Sequence, residues 1–229
     1  MLFTQSAEQR AYERMMTAIP NFSPRGHGVY YFRARPIWED YSCDVCAYQL
    51  RNKCQLDHCC CMTERIRVGM IPLNEVLKEL GYAVGIPVFT RRLRSYIKRS
   101  EVGIMKFQNE RHKMAFKDTS NRMNKRNDIL MAALYLLTAD HRLWNLVRPY
   151  VDRNEIMFDR IKIKSVSEKA YTLFMTAKDI YLGTDHIHFI DLADTELIDD
   201  RMFGLICNGL SIARYGLGAI SGNKKEAKK

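Results

Sequence analysis

From residue 60 onward, apolar side chains recur mostly at helical spacing, and only one earlier stretch alternates as a strand does. Residues Glu8 to Met16 carry a short helical pattern that the turn signals Ile19-Pro20 and Ser23-Pro24 break. Between Gly28 and Ala34, the residues Tyr30, Phe32 and Ala34 alternate with Val29, Tyr31 and Arg33 in an aromatic-rich run, which predicts a strand. A helix is predicted from Cys60 through Glu64 and Ile66 to Gly69, where the missing Cβ suits a left-handed stop. Pro72 opens the next, with Leu73, Val76, Leu77 and Leu80 on one face and Gly81 as its end. After the Gly85-Ile86-Pro87 break, Thr90 is expected to cap a helix from Arg91 to Arg99 that turns Leu93, Tyr96 and Ile97 inward.

The second half is more plainly helical. Asn127 to Leu137 predicts an apolar helix, and Thr138 or Asp140 caps another through Trp144 and Val147 to Pro149. Ser165 with Glu168 makes a capping-box pattern ahead of the Ala170-to-Ile180 stripe, which stops at Gly183. Asp199 caps a last long helix through Phe203, Ile206, Leu210 and Arg214, stopped by Gly216. The fold class expected is therefore mainly α with a small β element: a zinc-stabilised N-terminal module and a C-terminal helical bundle. Residues 1–104 are read as the cysteine-rich module with a basic helix, 105–220 as the bundle, and 221–229 as a disordered basic tail. Met105-Lys106-Phe107 ahead of Ala115-Phe116 also echoes Met1-Leu2-Phe3 ahead of Ala11-Tyr12, which fits two fused units or chance likeness between two helices.

Composition narrows the setting. With 229 residues, 47% of them hydrophobic, the chain has enough apolar mass for a real core. The longest wholly apolar run, Ile129 to Leu137, is far short of the roughly 20 residues that span a bilayer. The first ten residues are too polar for the centre of a secretory signal, so a cytoplasmic protein with no membrane partner is expected. The formal net charge of +10 is concentrated before residue 124, which suits either a phosphate backbone or an acidic protein face.

Six of the seven cysteines fall between Cys43 and Cys61. In a reducing compartment such crowding points to metal rather than disulfides. Cys43-x2-Cys46 is a two-ligand bite, and Cys54-x4-Cys59 supplies a second pair. Thiolates are soft ligands that Zn²⁺ takes tetrahedrally at about 2.3 Å, and four sulfurs leave no open position for a reacting water. The expected ligands of a structural Zn²⁺ are thus Cys43, Cys46, Cys54 and Cys59. Cys60, Cys61 or His58 can replace one of them, and an iron–sulfur cluster or a metal-free thiol cluster remains an alternative. Cys207, set among Ile206 and Leu210, reads as a buried structural thiol.

Two other features have chemical meaning. Gly69 to Arg99 has the outline of a helix-turn-helix whose second helix carries Arg91, Arg92, Arg94, Lys98 and Arg99 as a candidate nucleic-acid or partner-binding set. The stretch from Gly81 to Thr90 is longer than the usual turn of that motif, and a solvated basic helix is the plainer reading. His186 and His188, with Asp185 and Asp191 nearby, suggest a metal-dependent hydrolase only faintly. No nucleophile motif, glycine-rich phosphate loop or His-Glu-x-x-His helix accompanies them, so an enzyme is not expected.

Cys43-x2-Cys46 through Cys54-x4-Cys59 with Glu64-Arg65-Ile66, together with Leu134-Tyr135-Leu136-Leu137-Thr138-Ala139-Asp140 through Trp144, resembles the cysteine-rich and small helical domains of phages, plasmids and integrated elements of gut bacteria. That resemblance implies an anti-defence role, with a type II CRISPR effector nuclease in a bacterial host cell as the partner. A protein at +10 cannot imitate DNA, so such an inhibitor would have to cover a protein surface or compete for nucleic acid. A nucleic-acid-binding regulator built on the basic helix is the competing expectation.

Overall fold

The computed structural model describes Met15 and residues 41–46, 48–50, 53–54, 56, 59–100, 105–123, 125 and 127–221. The chain divides into two units, Met1–Ile37 and Trp38–Lys229. All of the first but Met15 lies outside the described residues, as do the helix expected over Glu8 to Met16 apart from Met15, the strand expected over Gly28 to Ala34, and residues 222–229.

The second unit is mainly α. It begins with a one-turn 3-10 helix at Cys43–Val45 and a minimal antiparallel hairpin, β1 (Gln49–Leu50) and β2 (Lys53–Cys54), in which Gln49 faces Cys54. Ten helices follow among the described residues. They are α1 (Met62–Arg67), α2 (Leu73–Val84), α3 (Pro87–Arg99), α4 (Glu110–Ser120), α5 (Asp128–Leu137), α6 (His141–Val147), α7 (Glu168–Leu182), α8 (Phe189–Ala193), α9 (Asp200–Tyr215) and α10 (Gly218–Ser221). None of them is long and apolar enough to cross a membrane. Ser221, expected to open the tail, closes α10 instead.

Local chemistry sets most helix ends. Asn127, Asp140 and Asp199 each accept a backbone N–H of the first turn, from Leu130, Leu143 and Met202 respectively. For α7 the cap is Ser167, bonded from Ala170 N, rather than the expected Ser165, which sits outside the helix at a φ of 57°. The expected stop at Gly81 is also corrected. The helix runs through Gly81 to Val84, and Gly85 ends it at a φ of 68°. Gly81 stays helical because α3 lies against it: a Cβ there would meet Leu93 at 3.1 Å, and Thr90 Oγ1 donates to the Gly81 carbonyl at 3.0 Å. Thr90 is accordingly inside α3 and not its cap, since Ile86 precedes a helix that Pro87 opens.

The core is built around α5, in which every residue from Leu130 to Leu137 is buried. Helix α9 lies along one side of it and α7 along another. Gly209 allows the α5–α9 approach, because a Cβ there would fall 3.0 Å from Leu136. Through its other faces α9 packs on α1, α2 and α10, and the Phe203 ring meets Phe89 of α3 at a tilt and Tyr96 edge to face, at 5.7 and 5.6 Å between centroids. The apolar cluster therefore continues across residues 104 and 105, joining Ile66, Val76, Leu77 and Leu80 to the helices from α5 onward. Each fully buried side chain of that size contributes on the order of 1.5–3 kcal/mol.

Candidate functional site

The cysteine region is organised by short-range hydrogen bonds. Ser42 Oγ accepts from Asp44 N at 3.3 Å, and Cys46 N donates to Cys43 O at 3.1 Å, so the Cys-x2-Cys segment closes into a tight turn. Gln49 N then donates to Cys46 O at 3.1 Å, which feeds the chain into β1. The hairpin returns Cys54 beside Gln49, and Cys59 precedes α1, where its carbonyl accepts from Met62 N at 3.1 Å. A knuckle, a hairpin end and a helix start thus each carry one part of the expected ligand set.

Arg65, one turn into α1, contacts the last of these parts and lies within electrostatic reach of the first. Its guanidinium donates to Cys59 Sγ at 3.7 Å, while its Nε is buried without a partner. Burial alone would weaken this cation. The hydrogen bond to Cys59, with the electrostatic influence of Cys43, Cys59 and Cys46, outweighs that and holds its pKa above the ordinary arginine value. All six cysteines of the cluster are free thiols, half-buried or exposed. Cys60 and Cys61 bring their sulfurs within 3.7 Å of each other, and that hydrogen bond, ahead of burial, raises the Cys61 pKa. Among the described residues, no three His, Cys, Asp or Glu side chains are gathered as the ligands of one ion would be. Neighbouring thiolates repel one another, and full convergence is ordinarily coupled to metal binding. His58, a candidate substitute ligand, lies outside the described residues.

The basic helix is divided between two roles. Arg91, Arg94, Lys98 and Arg99 are exposed on α3, but Arg92 is buried at 6% exposure and is withdrawn from the expected binding set. Its guanidinium donates to Leu192 O at 2.5 Å, to Asp194 O at 2.7 Å and, by a short contact, to Ile198 O, and it lies 4.3 Å above the Phe203 ring. Those carbonyls lie where α8 ends and the chain turns toward α9, and of them Asp194 O also accepts from Ile198 N at 3.2 Å, so Arg92 serves as a structural clamp on that connection. Burial lowers its pKa, opposed by Asp200. Arg99 pairs with Asp200 at 2.8 Å. Arg91, Arg94 and Lys98 remain as an outward cationic stripe at helical spacing.

The stripe stands between two flanks. Toward α2 a groove of about 680 Å³ is lined by Met62, Leu93 and Ile97 with Glu75, Lys78 and Tyr82 at its edges. Toward α8 a second depression brings Arg91 close to Ile190 and Asp194. Tyr82 is 78% exposed and Ile190 70%. The connection between α2 and α3 is only Gly85-Ile86, shorter than the three- or four-residue turn usual in a helix-turn-helix rather than longer as expected.

The histidine cluster has become a loop anchor. Asp179 accepts from Thr184 Oγ1 at 2.7 Å, from the amides of His186 and Ile187 at 2.9 Å each, and meets His186 Nδ1 at 2.6 Å. Burial would raise its pKa, but these bonds lower it. His188 faces Asp185 at 3.1 Å at the start of α8. Arg65, Asp179 and the clamp role of Arg92 were not distinguishable in the sequence, since each acts on carbonyls, amides or thiols that only the fold brings near.

No family model, curated protein or solved structure matches this chain.

Proposed function

We propose that the chain is a non-enzymatic interaction protein, stabilised by a structural Zn²⁺ on Cys43, Cys46, Cys54 and Cys59, that acts by covering a protein surface with its α2–α3 hairpin. The observation that carries the protein-binding reading is the charge layout around α3. Arg91, Arg94 and Lys98 point outward, yet Glu75 borders them on one side and Asp194 on the other. A helix seated in a duplex groove has phosphates along both flanks, where carboxylates would repel them. A partner protein of mixed charge suits the same layout, with Tyr82 and the apolar groove supplying contact area. For the metal, support comes from the knuckle-hairpin-helix arrangement and from a guanidinium placed where a thiolate cluster would carry negative charge.

The resemblance to mobile-element proteins makes a host defence complex, foremost a type II CRISPR nuclease in the bacterial cytoplasm, the partner to try first. Inhibition would act by hindering the loading of target DNA. The test is direct binding to the purified nuclease complex after digestion of free nucleic acid, with Tyr82→Ala combined with Arg94→Ala. The expected outcome is binding that the double variant weakens at least tenfold. A second reading, a nucleic-acid-binding regulator, is favoured by the exposed Arg91, Arg94 and Lys98 along α3. It replaces the first if the protein ignores the nuclease but retards duplex DNA with a steep salt slope that Arg91→Gln and Arg94→Gln reduce.

A further inference from the structure

Away from the cysteines and α3, three arginines from three different elements line one cavity. Arg122 follows the C-terminus of α4, Arg148 caps the C-terminus of α6, and Arg153 sits on the tight turn closed by the Val151–Ile156 bridge. Together with Thr119, Trp144 and Asp152 they surround a space of about 320 Å³. Each carrier is locally fixed. Arg122 Nε donates to Asp118 O at 3.2 Å, Pro149 holds the 3-10 turn after Arg148, and Asp152 N donates to Glu155 O at 2.9 Å across the hairpin.

The charges in this cavity are not balanced from within. Among the described residues, none of the three arginines forms an ion pair with a carboxylate. Among the described residues Asp152 is the single acid lining the space, and its Oδ1 is occupied by the amide of Arg153 at 2.6 Å. A cation at a helix C-terminus complements the helix dipole, which accounts for Arg122 and for Arg148 one at a time. It accounts neither for Arg153 nor for the convergence of all three.

We propose that Arg122, Arg148 and Arg153 form a binding site for a phosphomonoester dianion carried on a small organic molecule. Guanidinium forks match phosphate oxygens in pairs, and a phosphomonoester carries about −1.5 to −2 charges near neutral pH. The cavity is at the small end of the 300–1,000 Å³ typical of ligand sites, which fits one phosphate and a modest organic group. Thr119 offers a hydroxyl, and Trp144 with Met123 and Val151 gives the organic part an apolar wall. The site makes no use of the α3 face or of zinc.

The test uses full-length protein with Trp38→Phe, which leaves Trp144 as the one tryptophan and lets its fluorescence report on the cavity. Inorganic phosphate, adenosine monophosphate and uncharged adenosine are titrated separately at constant ionic strength. Saturable, mutually competitive signals from the two phosphates and none from adenosine are expected. Whichever phosphate binds more tightly tells whether the organic part contributes. Arg148→Gln and Arg153→Gln should each lower affinity roughly tenfold with unchanged thermal melting, as expected for loss of a charged hydrogen bond. Lys164→Gln, at an exposed position outside the cavity, should leave affinity unchanged. Absence of saturation with both phosphates, a response to adenosine, or equal weakening by Lys164→Gln would overturn the proposal.

Discussion

Arg92 and Arg91 are neighbours in the sequence and opposites in the molecule. A guanidinium can address three carbonyls at once because its five N–H donors are held in a planar fork, and an ammonium cannot reproduce that geometry. Arg92→Lys should therefore destabilise the protein by about 2–4 kcal/mol, whereas Arg91→Gln should change stability by less than about 0.5 kcal/mol. Urea unfolding of the two variants checks this, and equal small effects would show that Arg92 does not clamp the α8–α9 connection. His112 gives a second residue-scale expectation. It is buried at 1% exposure, accepts from Gln108 N through Nδ1 at 3.0 Å, and so donates through Nε2 to Tyr135 O at 2.9 Å. Burial pushes its pKa down from 6.5 to about 4, against the opposing effect of the Tyr135 carbonyl. The unfolded chain thus binds the proton more readily. This residue's contribution is complete above about pH 6.5 and is lost as pH falls toward 4, with about 2 kcal/mol gone by pH 5. Stability measured between pH 7.5 and 5 should show that slope in the parent protein and lack it in His112→Gln.

At the scale of elements, the sequence announced helices more reliably than their ends. Asp140 and Asp199 were readable as caps because a short acceptor immediately precedes each apolar stripe. Gly81 is the stop expected from the sequence, whereas Gly85 takes that part because α3 folds back against Gly81, a tertiary contact that no local pattern records. The same contact shortened the turn and altered the reading of the basic helix. The cysteine element was legible in composition and spacing, while the part played by Arg65 was not, because a residue six positions after Cys59 meets that thiol only through the start of α1. For the proposed metal site, protein purified without chelator should contain about one zinc per chain. Cys43→Ser or Cys46→Ser should abolish it, and Cys60→Ser should not. Elemental analysis that finds no zinc, or zinc insensitive to both of the first two substitutions, would remove the site as assigned.

Over the whole molecule, the expected bundle was visible as a set of stripes, but its partners were not. Helix α5 is apolar on every side, so periodicity could not say which face meets α7 and which meets α9. Nor could it show that α9 also receives α1 and α2. Because Ile66, Val76, Leu77 and Phe89 complete the cluster, a fragment starting at residue 105 should fail to fold cooperatively. A sharp thermal transition from that fragment would show instead that the later helices stand alone. The enclosure of α5 from Leu130 to Leu137 has a further consequence. Its central amides are hydrogen-bonded and shut away from water, so their exchange with deuterium should require the whole unit to open and should report its global free energy. If the proposed zinc binds and its stabilisation reaches the core, chelation would speed exchange along α5 as well as around the cysteines. If it stops at the cysteine hairpin, the α5 amides would keep their rates while those of α1 lose protection.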